Sequence, residues 1–309
     1  MHLGSGAVVV GATVGLIVGM TGAGGGALLT PVLILFLGVK AKVAVSTDLV
    51  ATLFMRPVAG ALHARQGTVV PRIVLLLSAG SVPAGFLAGW SAHLIGSATQ
   101  TKDALSPCIA VALLLSGVLA LGRRLWAARH PRPATTGELV IRPVLTVLIG
   151  VAGGALVGIT SVGSGTLMLV GLAALYPQLK TSQLVGTDLV QAVPLVGAAA
   201  LGHWAASDLH LALTASVVIG GVPGAFIGAF FSRRMPEAPL ATIVSIIVLL
   251  SGAAVLGWRV GLPVAGALAV GIVGVLLVER RSKPWPVDVA RQGEVGPPAP
   301  VGVGKGPAT

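Results

Sequence analysis

Charge is the scarcest thing in this chain. Asp, Glu, Lys and Arg make up 9% of its residues, where a soluble domain carries about 25%. With 55% apolar residues and a mean hydropathy of +0.97, the chain cannot cover itself with polar surface. That excludes an ordinary water-soluble fold. Cysteine is nearly absent as well. The lone Cys108 rules out a disulfide within the chain and a cysteine-based metal site. No GxxxxGK[ST] run is present, so ATP is not expected to drive the protein. No carboxylate–histidine cluster has the spacing of metal ligands, and no cofactor is expected. Only two acids, Asp48 and Asp188, are embedded in apolar sequence, too few for a membrane enzyme built on clustered acids.

What charge there is has one sign. The formal net charge is +11. In a soluble protein that would suggest nucleic acid. Here most Lys and Arg lie in connecting loops and the tail, so they are read as orienting the chain in a lipid bilayer, with no nucleic-acid partner. The 44 glycines are spread through the apolar segments and suit close helix packing in lipid. The N-terminus, MHLGSG, lacks a basic n-region, so the run after it is read as the first membrane segment and not a removed signal.

A spanning helix needs about 20 apolar residues. Segments are expected at 5–20, 27–39, 43–64, 73–95, 105–122, 144–159, 166–176, 184–204, 211–231, 239–257 and 262–278. The fold class is therefore an all-α polytopic membrane protein. Residues 5–122 form a first transmembrane repeat and 144–257 a second. A cytoplasmic basic linker at 123–143 (Arg123, Arg124, Arg129, Arg132, Arg142) divides them. An extra helix at 262–278 and a disordered cytoplasmic tail at 279–309 follow.

The repeat is visible in the letters. VSTDLVATLFMRPVAGALH at 45–63 returns as VGTDLVQAVPLVGAAALGH at 185–203, and GSVP at 80–83 as GGVP at 220–223. Each half also opens with two short segments around a glycine break, TGAGGG at 21–26 and TSVGSG at 160–165. Neither second segment is long enough to span, which fits a broken helix or a re-entrant pair shielded by protein or lining a wet cavity. Placing the arginine linker and the tail inside gives each half three crossings plus one returning pair. An odd count inverts the second half. Lys40 and Lys42 then fall outside, the one clear violation of the positive-inside rule.

These motifs together resemble the TauE/SafE family of sulfite exporters and related permeases, over roughly residues 10–260. The carriers are VGMTGAGGG followed by Pro31, VSTDL, HARQG and GSVPAG, with the second copies VGITSVGSG, VGTDL and GGVPGA. The resemblance implies export or import of sulfite, sulfonates or related organosulfur anions. Two departures from that symmetry matter for the site. Ser161 and Ser164 stand where the first break has Gly22 and Gly25, and Arg56 has only Val196 as its counterpart.

Candidate site residues follow. A glycine break opens a helix whose free N–H groups and dipole favour an anion. Thr21, Gly22, Gly24, Gly25 and Gly26, with Thr160, Ser161, Gly163, Ser164 and Gly165, are the candidates there. The alternative is that the glycines only permit tight packing. Arg56 lies mid-helix, where a charge costs about 2.5–3.5 kcal/mol on insertion scales, and its guanidinium suits a two-oxygen anion. A structural ion pair is the alternative. Asp48 is about 12 Å away along the axis, too far for ready contact. Thr47, Thr187 and Gln191 are added to the substrate set. Asp48 and Asp188, with His63 and His203, are candidates for proton coupling or gating. Capping of the helix start is the competing reading for the acids, and an interfacial anchor for the histidines.

The leading expectation is a secondary carrier for a small anion in the cell membrane, working by alternating access of two inverted halves. A passive anion channel, a permease for a non-sulfur anion and a membrane assembly partner are the rivals. Homo-oligomers are compatible with all of them.

Overall fold

Long apolar runs that cannot leave backbone groups unpaired in lipid must become helices, and helix is the regular structure throughout the described residues. The structure is a computed structural model that describes residues 2–21, 26–98, 105–129, 139–205, 210–232 and 237–257. The first half runs α1 (His2–Thr21), α2 (Gly26–Leu37), α3 (Ala41–Arg65), α4 (Pro71–Ala98) and α5 (Leu105–Arg129). The second runs α6 (Pro143–Thr160), a π-helical turn (Ser164–Met168) leading into α7 (Leu169–Leu175), α8 (Thr181–Ala205), α9 (Leu211–Ser232) and α10 (Glu237–Val255). Five of these, α3, α4, α6, α8 and α9, are long and apolar enough to cross a membrane. The expected helix 262–278 and tail 279–309 lie outside the described residues, as do Gly22, Gly24 and Gly25.

One expectation about the linker needs correcting. The backbone stays helical through Arg129, so the first part of the segment read as a loop from residue 123 belongs to α5. The run Arg-Arg-Leu-Trp-Ala-Ala-Arg at 123–129 contains mostly good helix formers and no breaker.

The short segments turn back on themselves. α2 has 12 residues, about 18 Å of helix, against a hydrocarbon layer of about 30 Å. Gly6 of α1 lies against Leu37 of α2, so the two form a hairpin. In the second half Gly171 lies against Ile149, Gly153 against Met168 and Gly163 against Leu156. Residue numbers fall on one arm as they rise on the other, which defines a second hairpin.

Glycine seams hold these hairpins to the other half. A Cβ at Gly11, Gly15 or Gly19 of α1 would strike the backbone of Val217, Gly221 or Ala225 of α9. The two helices therefore run parallel in near contact, the small-xxx-small packing of membrane helices. The counterpart seam joins α6 to α4: Gly150 meets the Leu77 carbonyl, Gly154 that of Ser81 and Gly158 that of Gly85. Between the seams α3 and α8 cross antiparallel, with Gly60 beside Leu189, Leu53 beside Gly197 and His63 beside Gly186.

The chain's single tyrosine anchors the second hairpin. Tyr176 is fully buried. Thr146 donates its one proton to the Arg142 carbonyl at 2.8 Å, so the Tyr176 hydroxyl donates to Thr146 Oγ1 at 2.5 Å. It also accepts the Arg142 N–H at 3.2 Å. Tyr176→Phe strands the Arg142 N–H at the start of α6 and is expected to cost about 1–2 kcal/mol. Thermal unfolding in detergent checks this; an unchanged midpoint would show that the phenol is not holding the hairpin.

Candidate functional site

The site forms where the tip of the second hairpin meets α3. α6 ends at Thr160, whose hydroxyl donates to the Leu156 carbonyl at 2.7 Å and accepts the Val162 N–H at 3.1 Å. Ser161 is left-handed at φ 59, and its N–H closes on the Val157 carbonyl at 2.7 Å. Gly163 follows at φ +112, a conformation that only glycine adopts readily. The chain then restarts as the π-helical turn, with the Leu167 N–H on the Gly163 carbonyl at 2.9 Å. A first turn has no internal acceptor for its leading N–H groups, those of Ser164 and Gly165. Helix C-terminus and helix N-terminus thus meet within a few residues.

Two charged side chains of α3 reach this tip. Arg56 is 2% exposed. Its Nη2 donates to Ser164 Oγ, while Nε and Nη1 are buried with no hydrogen-bond partner. A guanidinium presents two forked edges, and one bond through Nη2 can occupy only one of them. A complete fork therefore remains for a two-oxygen ligand. Asp48, fully buried, is satisfied by hydroxyls: Thr30 of α2 donates to Oδ2 at 2.6 Å and Thr52 to Oδ1 at 2.8 Å, and the Ser161 side chain is a further partner. Asp188 of α8, 3% exposed, shares the electrostatic field of Arg56 with Asp48. One cation, two carboxylates and a helix N-terminus are thereby gathered from both halves.

Helix capping does not describe the two acids. α3 begins at Ala41 and α8 at Thr181, both earlier than the expected 43 and 184, so Asp48 and Asp188 lie inside their helices and away from the unpaired first-turn N–H groups that a cap would serve. Nor does Arg56 bond Asp48; its hydrogen bond goes to Ser164, as the distance along the helix requires.

The other candidates are placed elsewhere. Thr47 meets Thr214 of α9 at 3.2 Å, and Thr187 accepts the Val70 N–H before α4 at 3.1 Å. His203 is buried, with Nε2 at 2.8 Å from the Gly158 carbonyl of α6. His63 Nδ1 lies 3.0 Å from Thr68 Oγ1 at the end of α3. Thr47 and His203 tie helices together, Thr187 ties α8 to the start of α4, and His63 contacts the turn that follows its own helix. Gln191 faces α4, with Nε2 on Ser81 Oγ at 2.5 Å. Gly165 is half-buried in the π-helical turn; Thr21 ends α1 and Gly26 starts α2.

Thr30 and Thr52 were not among the sequence candidates. Thr52 had a usable signal, four residues after Asp48 on the same helix face. Thr30, on a different helix, had none.

Comparison with known proteins gives this arrangement its context. The family described as "Sulfite exporter TauE/SafE" matches residues 7–255. A curated relative, "Probable membrane transporter protein YjnA" of Bacillus subtilis (strain 168), is 36% identical over 247 residues, covering 79% of this chain and 96% of that protein. "Probable membrane transporter protein YdhB" of the same organism is 25% identical over 238 residues, covering 77% and 94%. No solved structure matches. A family match spanning both hairpins and both copies of the Thr-Asp helix, joined to a relative that aligns along nearly its whole length, makes this chain a member of the TauE/SafE sulfite exporter family and a multi-pass membrane transporter.

Proposed function

We propose that the protein carries a small sulfur oxyanion, such as sulfite or a sulfonate, across the cell membrane. The carrying observation is Arg56, a buried guanidinium with Nε and Nη1 unoccupied beside the N-terminus of a broken helix. A buried polar group without a partner is costly, and an oxyanion supplies what both groups lack. The family description supports sulfur chemistry; the relatives' names specify only transport.

Alternating access is the proposed mechanism. The antiparallel crossing of α3 and α8 and the exchanged glycine seams support two halves inverted about a central site. Rocking of one hairpin-bearing body against the other would open Arg56 to each side in turn. The test is a liposome assay with the purified protein and a panel of labelled sulfur oxyanions and carboxylates. Uptake is expected to saturate, to show counterflow and to favour the sulfur oxyanions. Linear flux without counterflow would mark a channel, and a preference for carboxylates would overturn the substrate class.

Charge balance calls for a companion ion. Arg56 with two ionised carboxylates totals −1, and an anion brings the site to −2. Loading a proton on Asp188 offsets that. Asp188→Asn is therefore expected to flatten the pH dependence of uptake, measured as initial rate against external pH. A profile unchanged from wild type would remove Asp188 from proton coupling.

A further inference from the structure

The two halves differ along one helix seam, and the difference is polar. On the α4–α8 seam Gln191 is fully buried. Its amide donates to Ser81 Oγ at 2.5 Å, which leaves Oε1 buried without a partner. Ser78, one turn before Ser81 on α4, also has a buried hydroxyl without a partner. At the repeat offset of 140 (188 − 48), the counterparts of Ser78, Ser81 and Gln191 are Val218, Gly221 and Ala51. The other half thus does without polar side chains at all three positions, so the fold itself does not require them.

Gln191 follows Asp188 by three residues, which puts both on one helix face with Cβ atoms about 5–6 Å apart. The seam therefore brings together a carboxylate, an amide oxygen and two hydroxyls in an apolar surround. These are hard oxygen ligands. An unpartnered amide oxygen is an acceptor and repels an anion; it calls for positive charge. On α3, hydroxyl donors hold both oxygens of Asp48, a fixed counter-charge to Arg56.

We propose that the Asp188–Gln191–Ser81–Ser78 cluster binds the coupling ion, a small monovalent cation, in one half of the transporter only. Either a sodium ion held by these oxygens or a proton on Asp188 that donates to Gln191 Oε1 has the required chemistry. The bound cation neutralises Asp188 and frees Arg56 for the anion, so the two ions bind together. The remaining charged and titratable groups on neighbouring elements are Lys42, Asp48, Arg56, His63 and Arg65 on α3, His203 on α8 itself, and Arg72 and His93 on α4; α6, the π-helical turn and α7 carry none.

The proposal deepens the anion-carrier reading and rests on it for its coupling role, so the test has a readout that does not need transport. In liposomes, anion uptake is measured against sodium concentration at fixed pH and against pH without sodium. Gln191→Ala is expected to raise the half-maximal concentration of the driving ion at least tenfold, with the anion KM at saturating ion unchanged within twofold. Whichever ion drives wild-type uptake identifies the occupant. An unchanged ion dependence, a parallel rise in anion KM, or wild-type uptake indifferent to both ions would overturn the proposal. Separately, binding of labelled sodium to purified protein, and its displacement by protons, is compared between wild type, Gln191→Ala and Ser81→Ala. If no anion moves at all, loss of ion binding in both variants still supports the site, and wild-type protein that binds neither ion refutes it.

Discussion

Arg56→Ala is expected to abolish anion uptake, at least a hundredfold below wild type at subsaturating substrate. Two charge-assisted hydrogen bonds to an oxyanion are worth roughly 1.5–3 kcal/mol each, and about 1.4 kcal/mol is a factor of ten. The substitution also leaves Asp48 and Asp188 without the cation whose field they share, and a buried charge robbed of its partner is strongly destabilising. Arg56→Lys separates these effects. It keeps the charge but offers a point in place of a fork, so uptake is expected to survive about tenfold down with a raised KM. Size-exclusion profiles and unfolding midpoints of both variants guard against simple misfolding. Near-normal uptake in both would remove Arg56 from the anion path.

Gly154→Val is expected to prevent assembly. A Cβ at this position would fall on the Ser81 carbonyl, and the Ser81 Cα lies 2.7 Å from it. Backbone cannot rotate away as a side chain can. Gly150 and Gly158 hold α4 and α6 together above and below, so neither helix can retreat locally. Overpacking a core costs about 1–3 kcal/mol when side chains can adjust; here the obstacle is main chain, and the cost is expected beyond that range. Gly122→Ala is the control, because a Cβ there meets nothing within 4 Å. Folded yield and monodispersity after detergent extraction check the pair. Equal yields would show that the seam tolerates separation.

Much of this architecture was legible in the letters because the chain repeats itself. Helix positions followed from apolar run length, and the glycine breaks marked both hairpins. What the repeat could not supply was depth. Asp48 and Asp188 looked like helix starts because the apolar runs begin near them, yet the helices extend to Ala41 and Thr181. The π-helical turn at Ser164–Met168 leaves no periodic trace over so few residues. Thr30 joins Asp48 only through the fold-back of α2, a tertiary fact that local spacing does not encode. The mismatches between the copies proved the more informative signal. Arg56 faces Val196 in the alignment, and both lie in the α3–α8 crossing bracketed by the Leu53–Gly197 and Gly60–Leu189 contacts. Two arginines there would repel across a pseudo-two-fold crossing, so a single one is the arrangement that crossing can hold. Ser78, Ser81 and Gln191 carry the same kind of signal; the letters alone point only to Gln191, and to the anion.

The most direct test replaces sulfite with selenite, whose selenium scatters anomalously, and locates it in crystals of the protein. The account predicts one anomalous peak within about 4 Å of the Arg56 guanidinium, on the Nε or Nη1 side and next to the first turn after Gly163, and no peak in Arg56→Ala crystals. A peak away from Arg56, or one that persists in the Arg56→Ala protein, would contradict it.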